Sequence, residues 1–367
     1  MTEEKKKKPA PIGCLLILVL FAAGIYAAFI GPSILKPISP VVVLPGEPTG
    51  LQIPMPFGWD PFQITNTIVA TLIADVVLIL LALGAYRFSR SGKEVPSGIY
   101  NFFEWLVEFA WNSVEGSAGK WAKRIFPVPA TIFLLVFVAN MIKLTPGFES
   151  IGYLKPVHEG TGYAPVAVTP FNIESLTFYI LDKGQPVEVE ATAAHDAVTT
   201  HAEGEEVVSE GHAEETGELC TACEVVPFLR GSATDLNFTF ALATVAVVMT
   251  QVYGVWAVGP GYFEKFFQIR RLISGGPFGL IDFLVGFLEI ILEFAKILSF
   301  GFRLFGNIFA GALLLSIVGA LTAVAVPAGL YLFEIFFGII QAYVFFLLAT
   351  VFISGATVAH GGHDEHH

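Results

Sequence analysis

The chain has 367 residues, of which 54% are hydrophobic and only 14% are charged. Soluble domains carry about 25% charged residues, so this composition excludes a soluble enzyme with one large core and predicts a polytopic membrane protein. The net charge of -12 comes largely from residues 149–224, which hold 15 of the 32 acidic residues. The rest of the sequence has no basic stripe of the kind that binds nucleic acid, so no nucleic-acid partner is expected.

Residues 1–63 are predicted to form an N-terminal anchor helix and an extraplasmic loop. The apolar run 12–30 follows the cluster Lys5–Lys8, and its length suits one crossing of the bilayer. A charged start before an apolar stretch is also typical of a cleaved signal peptide. Both interpretations stay open, and the uncleaved anchor is favoured. Residues 31–63 are rich in Pro and Gly, which favours a loop.

Residues 64–148 are predicted to hold two transmembrane helices, over 64–86 and 127–144. Between them, residues 98–124 interleave aromatic and acidic side chains at helical spacing. This pattern is typical of an amphipathic helix that lies in the membrane interface. An acidic extraplasmic insert, 149–232, follows. The low content of large apolar residues in 149–224 predicts that much of this segment is disordered or loosely packed.

Cys220 and Cys223 form a lone C-x-x-C motif in the insert. Together with His195, His201 and His212 the motif raises the possibility of a metal site, but a single C-x-x-C is weak support for one. On the outer side of a membrane a local disulfide is the favoured interpretation. No metal site and no cofactor are expected.

Residues 233–357 are predicted to be mostly transmembrane helix, followed by a His-rich tail at 358–367. One span covers 236–258 and the last covers 328–357. Between them, the 47 residues of 280–326 would extend about 70 Å as a helix, whereas the hydrocarbon layer is about 30 Å thick. This segment therefore holds either two spans or one strongly tilted helix.

The distribution of Lys and Arg predicts the topology. If 280–326 counts as one span, the chain has six spans with both termini in the cytoplasm, and thirteen bases lie inside against five outside. Such a bias supports this orientation, although splitting 280–326 would move the C-terminus without moving any base. The five outside bases are Lys36, Lys143, Lys155, Lys183 and Arg230.

A polar stripe runs along the segment after Leu280, although ionisable residues at membrane depth are costly. At 100° per residue, its members share one helix face. They are Asp282, Glu289, Glu293, Lys296, Arg303 and Asn307. Glu293 and Lys296 are spaced for a local ion pair. Arg303 has no acid at i±3 or i±4, so it requires a partner on another helix or another subunit.

The run Ser299–Gly311, which contains Arg-Leu-Phe-Gly-Asn, resembles the signature of subunit a of F-type ATP synthases. Residues 233–239 and Asn140 with the following Thr-Pro-Gly resemble flanking segments of that family. The resemblance covers about 60–150 and 230–357. It implies an all-α fold of about six transmembrane helices plus an interfacial amphipathic helix, with a long tilted C-terminal helical hairpin.

The resemblance also implies a non-catalytic subunit that provides two ion half-channels beside a ring of c subunits, so that proton flow drives rotation and ATP synthesis. The implied partners are the c-ring, the peripheral-stalk b subunits, the rest of the F-type ATP synthase and the lipid bilayer. The implied location is the plasma membrane of a bacterium. No cofactor is implied.

The resemblance assigns roles to the polar residues. Arg303 would keep a passing ring carboxylate ionised and block leakage between the half-channels. The outer half-channel would use Asn307, Glu334 and Gln341, with Glu334 as its main proton carrier. The inner half-channel would use Asp282, Glu289, Lys296 and Ser299. Ala312 departs from family members that carry a carboxylate at that position.

A stand-alone ion channel or secondary transporter is the alternative function. A transporter would show an inverted repeat with its site between two halves, whereas here the polar stripe lies in the C-terminal third alone. A purely structural anchor would have no need of Glu289, Arg303 and Glu334 at membrane depth. The identity of the coupling ion depends on ring residues outside this chain.

Overall fold

A computed structural model describes residues 46–56, 60–90, 98–145, 147–149, 151–157, 160–168, 178–189, 220–266, 276–321 and 325–358. The predicted anchor helix at 12–30 and the tail from residue 359 onward lie outside these residues. The described chain divides into a mainly helical unit and a smaller unit that contains a β-sheet.

Helices make up most of the described chain, which confirms the predicted fold class in its coarse form. They are α1 (Asn66–Ser89), α2 (Ile99–Ala118), α3 (Ala122–Ile125), α4 (Pro127–Lys143), α5 (Leu236–Val258), α6 (Gly276–Leu321) and α7 (Ala325–Ala356). Short 3-10 helices cover Gly119–Trp121, Ser232–Thr234 and Gly259–Lys265. The strands are β1 (Pro48–Ile53), β2 (Phe62–Thr65), β3 (Gly152–Pro156), β4 (Gly160–Val168), β5 (Phe178–Val189) and β6 (Cys223–Pro227).

Three helical segments of the described chain are long and apolar enough to cross a membrane: Asn66–Ser89, Leu236–Phe263 and Ala328–Ala356. The segments Ile99–Ile125 and Pro127–Lys143 pass the same test only together, and they meet at a bend of 99°. The described residues thus hold three to four candidate spans. The total of six spans stays a prediction, since the first predicted span, 12–30, lies outside the described residues.

The 99° bend coincides with the predicted change from an interfacial helix to a span. Pro127 is the first residue of α4, where its missing N–H costs nothing. On α2, Trp105 and Phe109 are exposed, whereas Ala110 and Val114 are buried. A helix with one aromatic exposed face, set nearly at right angles to the next helix, has the form that an interfacial helix requires.

The core of the helical unit forms where α4 and α5 pack against α6 and α7. Small side chains let the helices approach closely: Ala243 of α5 and Ala349 of α7 are fully buried. Aromatic rings fill the remaining space, and the Phe300 ring of α6 lies 5.3 Å from those of Phe345 and Phe352 on α7.

Helices α6 and α7 run antiparallel within the helical unit. Phe300 contacts Phe352, whereas Asn307 contacts Gln341 further along α6. Of the two alternatives for the long apolar segment, the structure shows one continuous helix of 46 residues. Such a helix is about 69 Å long.

The described part of the acidic insert forms a sheet and is not loosely packed, whereas the rest of the insert lies outside the described residues. Its strands have the order β3-β6-β4-β5, and all pairs are antiparallel. Tyr163, Cys223 and Val226 are buried in it. The average composition of the insert conceals these short strands, because long acidic stretches surround them. The predicted Cys220–Cys223 disulfide is confirmed.

The N-terminal loop prediction is also wrong in part. Strands β1 and β2 form an antiparallel hairpin immediately before α1, and the Thr49 hydroxyl donates to the Ile64 carbonyl oxygen at 2.7 Å.

Polar side chains at the start of α1 and α5 join these two helices. Asp235 caps α5 by accepting from the Asn237 N–H at 2.9 Å, and its other oxygen accepts from the Thr67 hydroxyl at 2.6 Å.

The hydrogen bond between Thr67 and Asp235 gives a stability prediction. Thr67→Val deletes the hydroxyl donor and leaves a buried oxygen of Asp235 without it, which we expect to destabilise the chain by about 1–3 kcal/mol. Thr67→Ser keeps the donor and serves as the matched control. The measurement is the thermal unfolding midpoint of the full chain in detergent. Equal midpoints for the Val and Ser variants would contradict a stabilising role of this hydrogen bond.

Candidate functional site

Arg303 lies on an exposed face of α6, while the flanking Phe300 and Leu304 are buried in the core. Its Nη2 donates to the Ser299 hydroxyl oxygen, one turn earlier, at 3.4 Å. Among the described residues, no carboxylate lies within ion-pair distance of the guanidinium. This agrees with the expectation that Arg303 finds its partner elsewhere.

The glycines around Arg303 have different surroundings. A Cβ on Gly301 would lie 2.9 Å from the Phe240 ring of α5, so this position needs glycine for helix packing. A Cβ on Gly306 would meet no other atom within 4 Å among the described residues. The face next to Arg303 is therefore open to an approaching partner.

Asn307 and Gln341 connect α6 to α7 one turn beyond Arg303. The Asn307 Nδ2 donates to the Gln341 Oε1 at 2.5 Å. Gln341 is buried, and its Nε2 has no hydrogen-bond partner within the described part of the chain. Buried polar groups in proteins are generally hydrogen-bonded, so this amide has the capacity for a further contact. Two of the three residues assigned to the outer half-channel are thus in contact.

Glu334, the third of these residues, forms a buried ion pair that sequence reasoning missed. The Lys143 Nζ lies 2.6 Å from the Glu334 Oε1, and the two side chains are only 4% and 8% exposed. The alignment of the two groups departs from that of a hydrogen bond, so the contact is mainly ionic.

Lys143, which was counted among the bases on the outer side, has a buried side chain. It is the last residue of α4, and the α4–α7 packing encloses its side chain. The Asn140 Nδ2 donates to the Gly338 carbonyl oxygen at 3.2 Å, which brings the end of α4 against α7. Because Asn140 lies one turn before Lys143, their shared face is the only signal in the sequence that could have indicated this pair.

A second cluster of charges lies toward the start of α6. The predicted local pair is confirmed, since the Lys296 Nζ lies 2.9 Å from the Glu293 Oε1. Lys265, which ends the 3-10 helix after α5, lies 3.2 Å from the same oxygen and 3.8 Å from Glu289. Lys265 lies between two predicted spans, 236–258 and 280–326, and sequence reasoning missed its role as a partner. The backbone of Asp282 is part of α6, but its side chain lies outside the described residues.

Lys265 is held in its charged form. Burial opposes the charge, but hydrogen bonding to Tyr262 and the nearby Glu293 carboxylate outweigh burial and raise the pKa of Lys265. Its ammonium also lies 4.3 Å from the centre of the Tyr262 ring, a cation–π distance.

The two clusters are balanced in charge, whereas Arg303 is not. The outer pair holds one acid and one base, Glu334 and Lys143. The inner cluster holds two of each, Glu289 and Glu293 with Lys265 and Lys296. Among the described side chains of the two clusters and of the α6 segment between them, the guanidinium of Arg303 is the charge without an opposite charge beside it.

The inner cluster gives a second stability prediction. The Glu293 side chain is 11% exposed and contacts two ammonium groups. The Glu289 side chain is 35% exposed and lies 3.8 Å from one ammonium group. Breaking a buried pair costs about 3–5 kcal/mol, and an exposed pair contributes about 1 kcal/mol or less. We expect Glu293→Gln to lower the thermal unfolding midpoint of the full chain in detergent much more than Glu289→Gln does. An equal effect of the two substitutions would refute this ranking.

Comparison with known proteins identifies the family. A family model described as ATP synthase A chain matches residues 67–354. The chain is 26% identical over 310 residues to ATP synthase subunit a of Mycobacterium bovis, which covers 83% of this chain and 90% of the relative. It is 25% identical over 293 residues to the subunit of Helicobacter pylori (80% and 89%), and 24% over 291 residues to that of Citrifermentans bemidjiense (79% and 87%). The chain belongs to the ATP synthase subunit a family, whose members provide the proton channel beside the c-ring of ATP synthase.

Proposed function

We propose that α6 and α7 form the walls of two proton half-channels and that Arg303 separates them. The observation that carries this proposal is the uncompensated charge of Arg303 on an exposed helix face, between two clusters whose charges balance. A guanidinium at membrane depth requires a counter-charge. The c-ring carboxylate supplies that counter-charge as it passes.

The outer half-channel consists of Glu334, Gln341 and Asn307. Glu334 and Gln341 are seven residues apart on one face of α7, and Gln341 contacts Asn307, which is one helical turn from Arg303. A proton from the outside is taken up by Glu334, moves along these polar groups and neutralises the ring carboxylate next to Arg303. The buried, unpartnered Nε2 of Gln341 supports a hydrated path at this point.

The inner half-channel receives the proton after the ring has turned. Ser299 hydrogen-bonds to Arg303 and forms its upper end. Glu289, Lys296 and Asp282 continue it along α6 toward the inner surface. Because the Glu293 pairs hold Lys296 and Lys265 in place, the acidic groups of this cluster are positioned to accept the released proton.

Arg303 has two tasks in this mechanism. It keeps the ring carboxylate ionised between the half-channels, and its fixed positive charge stops protons from passing directly. Arginine suits both tasks because it keeps its proton in a low-dielectric site, whereas a buried lysine can lose its proton. The subunit itself makes and breaks no covalent bond to ATP.

The stand-alone channel or transporter is less well supported. A self-contained path would enclose its essential charge between its own helices, whereas Arg303 is exposed. In the proposed assembly the c-ring faces this side of α6. The peripheral-stalk b subunits, the rest of the F-type complex and the lipid bilayer are the other partners, and the location is the plasma membrane of a bacterium.

The proposed arrangement in the membrane has six spans, with α6 and α7 as a tilted hairpin and both termini in the cytoplasm. The length of α6 supports the tilt, since 46 residues exceed an upright span about twofold. The proposed domains are 1–63, 64–148, 149–232, 233–357 and 358–367. The compact sheet unit, which contains Ser150–Phe228, supports the limits of the insert.

The function predicts how Arg303 variants behave. Arg303→Ala should abolish ATP-driven acidification of membrane vesicles and leave a passive proton leak once the catalytic head is removed. Arg303→Lys should also fail to couple but should leak less, because a charged lysine retains part of the barrier. Arg87→Ala, on the exposed face of α1, is the matched control and should pump normally. Normal acidification by an assembled Arg303→Ala complex would remove Arg303 from the mechanism.

The topology predicts opposite sidedness for two exposed positions. In a Cys14→Ser background that keeps the disulfide, Val166→Cys in β4 and Val358→Cys after α7 place single thiols at sites that are 48% and 64% exposed. An impermeant maleimide should label the first variant in intact cells and the second only in inverted vesicles. Labelling of both variants from one side would overturn the six-span arrangement.

A further inference from the structure

Three bases cluster at the bend between α2 and α4, and the proposed proton path uses none of them. They are Lys120, Lys123 and Arg124, and all three side chains are exposed. They lie in the short helical turns Gly119–Trp121 and Ala122–Ile125. Because their spacing is i, i+3 and i+4, they share one face of these turns.

The bases of this cluster have no acidic partner in the described chain. No described carboxylate lies within ion-pair distance of any of the three. The nearest acid in the sequence is Glu115, whose Oε2 accepts from the Trp111 indole N–H at 3.1 Å. Neighbouring positive charges without counter-charges repel one another, so the cluster favours a ligand that carries negative charge.

Two tryptophan rings hold the Arg124 guanidinium. Its Cζ lies 5.0 Å from the centre of the Trp121 ring and 5.0 Å from the centre of the Trp256 ring, and both are cation–π distances. The two rings belong to different elements and meet edge to face, with centroids 6.3 Å apart. Stacking against a ring uses none of the guanidinium N–H donors, so they stay available to an oxygen ligand.

The cluster lies where two candidate spans reach one membrane interface. Helix α4 begins at Pro127, directly after these turns, and Trp256 lies in the last turn of α5. The Tyr253 hydroxyl donates to the Arg124 carbonyl oxygen at 2.7 Å, which brings the end of α5 beside the start of α4. Tryptophan is enriched at the level of the lipid headgroups, and Trp256 is 58% exposed.

We propose that this cluster binds the headgroup of an anionic phospholipid. The oriented guanidinium of Arg124 donates to two oxygens of the lipid phosphate, a geometry that arginine provides and lysine does not. Lys120 and Lys123 supply further positive charge beside that phosphate, and the exposed Trp256 ring packs against the start of the acyl chains. The site shares no residue with the proposed half-channels, so it is tested independently of them.

The geometry favours a bound lipid over two simpler explanations. The rule that sets membrane topology also collects bases near spans, but it requires no fixed orientation, whereas rings from two elements fix Arg124. A free phosphate ion would be held by the cations alone. It would have no contact with an exposed aromatic ring at headgroup level, such as that of Trp256.

The test measures lipid binding to the full chain in detergent by native mass spectrometry. Phosphatidylglycerol is the anionic probe, phosphatidylcholine is the zwitterionic reference, and the wild type should bind the first more tightly. Arg124→Gln should weaken phosphatidylglycerol binding by about fivefold or more, the contribution of one base beside anionic lipid. Arg87→Gln removes an exposed base in the last turn of α1 and, as the matched control, should keep the wild-type affinity.

A second variant separates an oriented site from general attraction by positive charge. Trp256→Leu keeps every charge and an apolar side chain but removes one of the two rings that hold Arg124, so it should also weaken phosphatidylglycerol binding. Wild-type affinity in both Arg124→Gln and Trp256→Leu would overturn the proposal, and so would equal affinity of the wild type for the two lipids. Displacement of the lipid by inorganic phosphate at an equal concentration would reveal a site for a free anion and would overturn it too.

A thermal measurement on the wild type needs no variant to fold. Phosphatidylglycerol should raise the unfolding midpoint of the full chain in detergent, because a ligand that binds only the folded state stabilises that state. The same concentration of phosphatidylcholine should raise the midpoint less. An equal rise with the two lipids would contradict a site selective for anionic headgroups.

Discussion

A positive charge without a counter-charge of its own is the constraint on which this structure depends. An arginine at the centre of a membrane helix costs about 3 kcal/mol or more, and Arg303 has no carboxylate partner within the described chain. In the proposed mechanism, a ring carboxylate that approaches the exposed face of α6 supplies the counter-charge. The same carboxylate is the proposed proton carrier, so neutralising Arg303 and moving protons would depend on one contact.

The acids of the two clusters are paired with bases, and Glu293 is ten residues, about 15 Å, from Arg303 along α6. Glu334 is occupied by Lys143, and Glu293 by Lys296 and Lys265. Close helix packing makes this possible: Gly338 lets Asn140 approach α7, and that contact brings Lys143 to Glu334. In the proposed mechanism, neither cluster therefore offers Arg303 a carboxylate, and the guanidinium is left for the ring carboxylate.

The features that depend on helical periodicity were predictable from the sequence. The shared face of the polar stripe and the Glu293–Lys296 pair follow from helical spacing, whereas Asn307 and Gln341 were associated only by the family resemblance. Lys143 and Lys265 were not predictable in this way, because each belongs to a different element from the acid that it contacts. Hydropathy placed Lys143 at the end of a predicted span and Lys265 between two spans, positions where a lysine is ordinarily solvated. The sheet in the insert was missed because composition averages over strands of five residues, such as β6.

The two clusters also differ in burial, and the reason lies in the elements that supply their bases. Lys143 comes from the end of a core helix, and its pair is almost entirely removed from water, whereas Lys265 comes from the 3-10 helix after α5 and leaves Glu289 about one third exposed. Electrostatic attraction strengthens as the local dielectric falls, so the outer carboxylate is bound tightly to a single base. Of the inner carboxylates, Glu293 is buried between two bases, whereas Glu289 is about one third exposed. Along the proposed path, a proton therefore enters at a single acid held by one base and leaves past two acids that differ in exposure. The entry and exit sides thus differ physically before the ring makes any contribution.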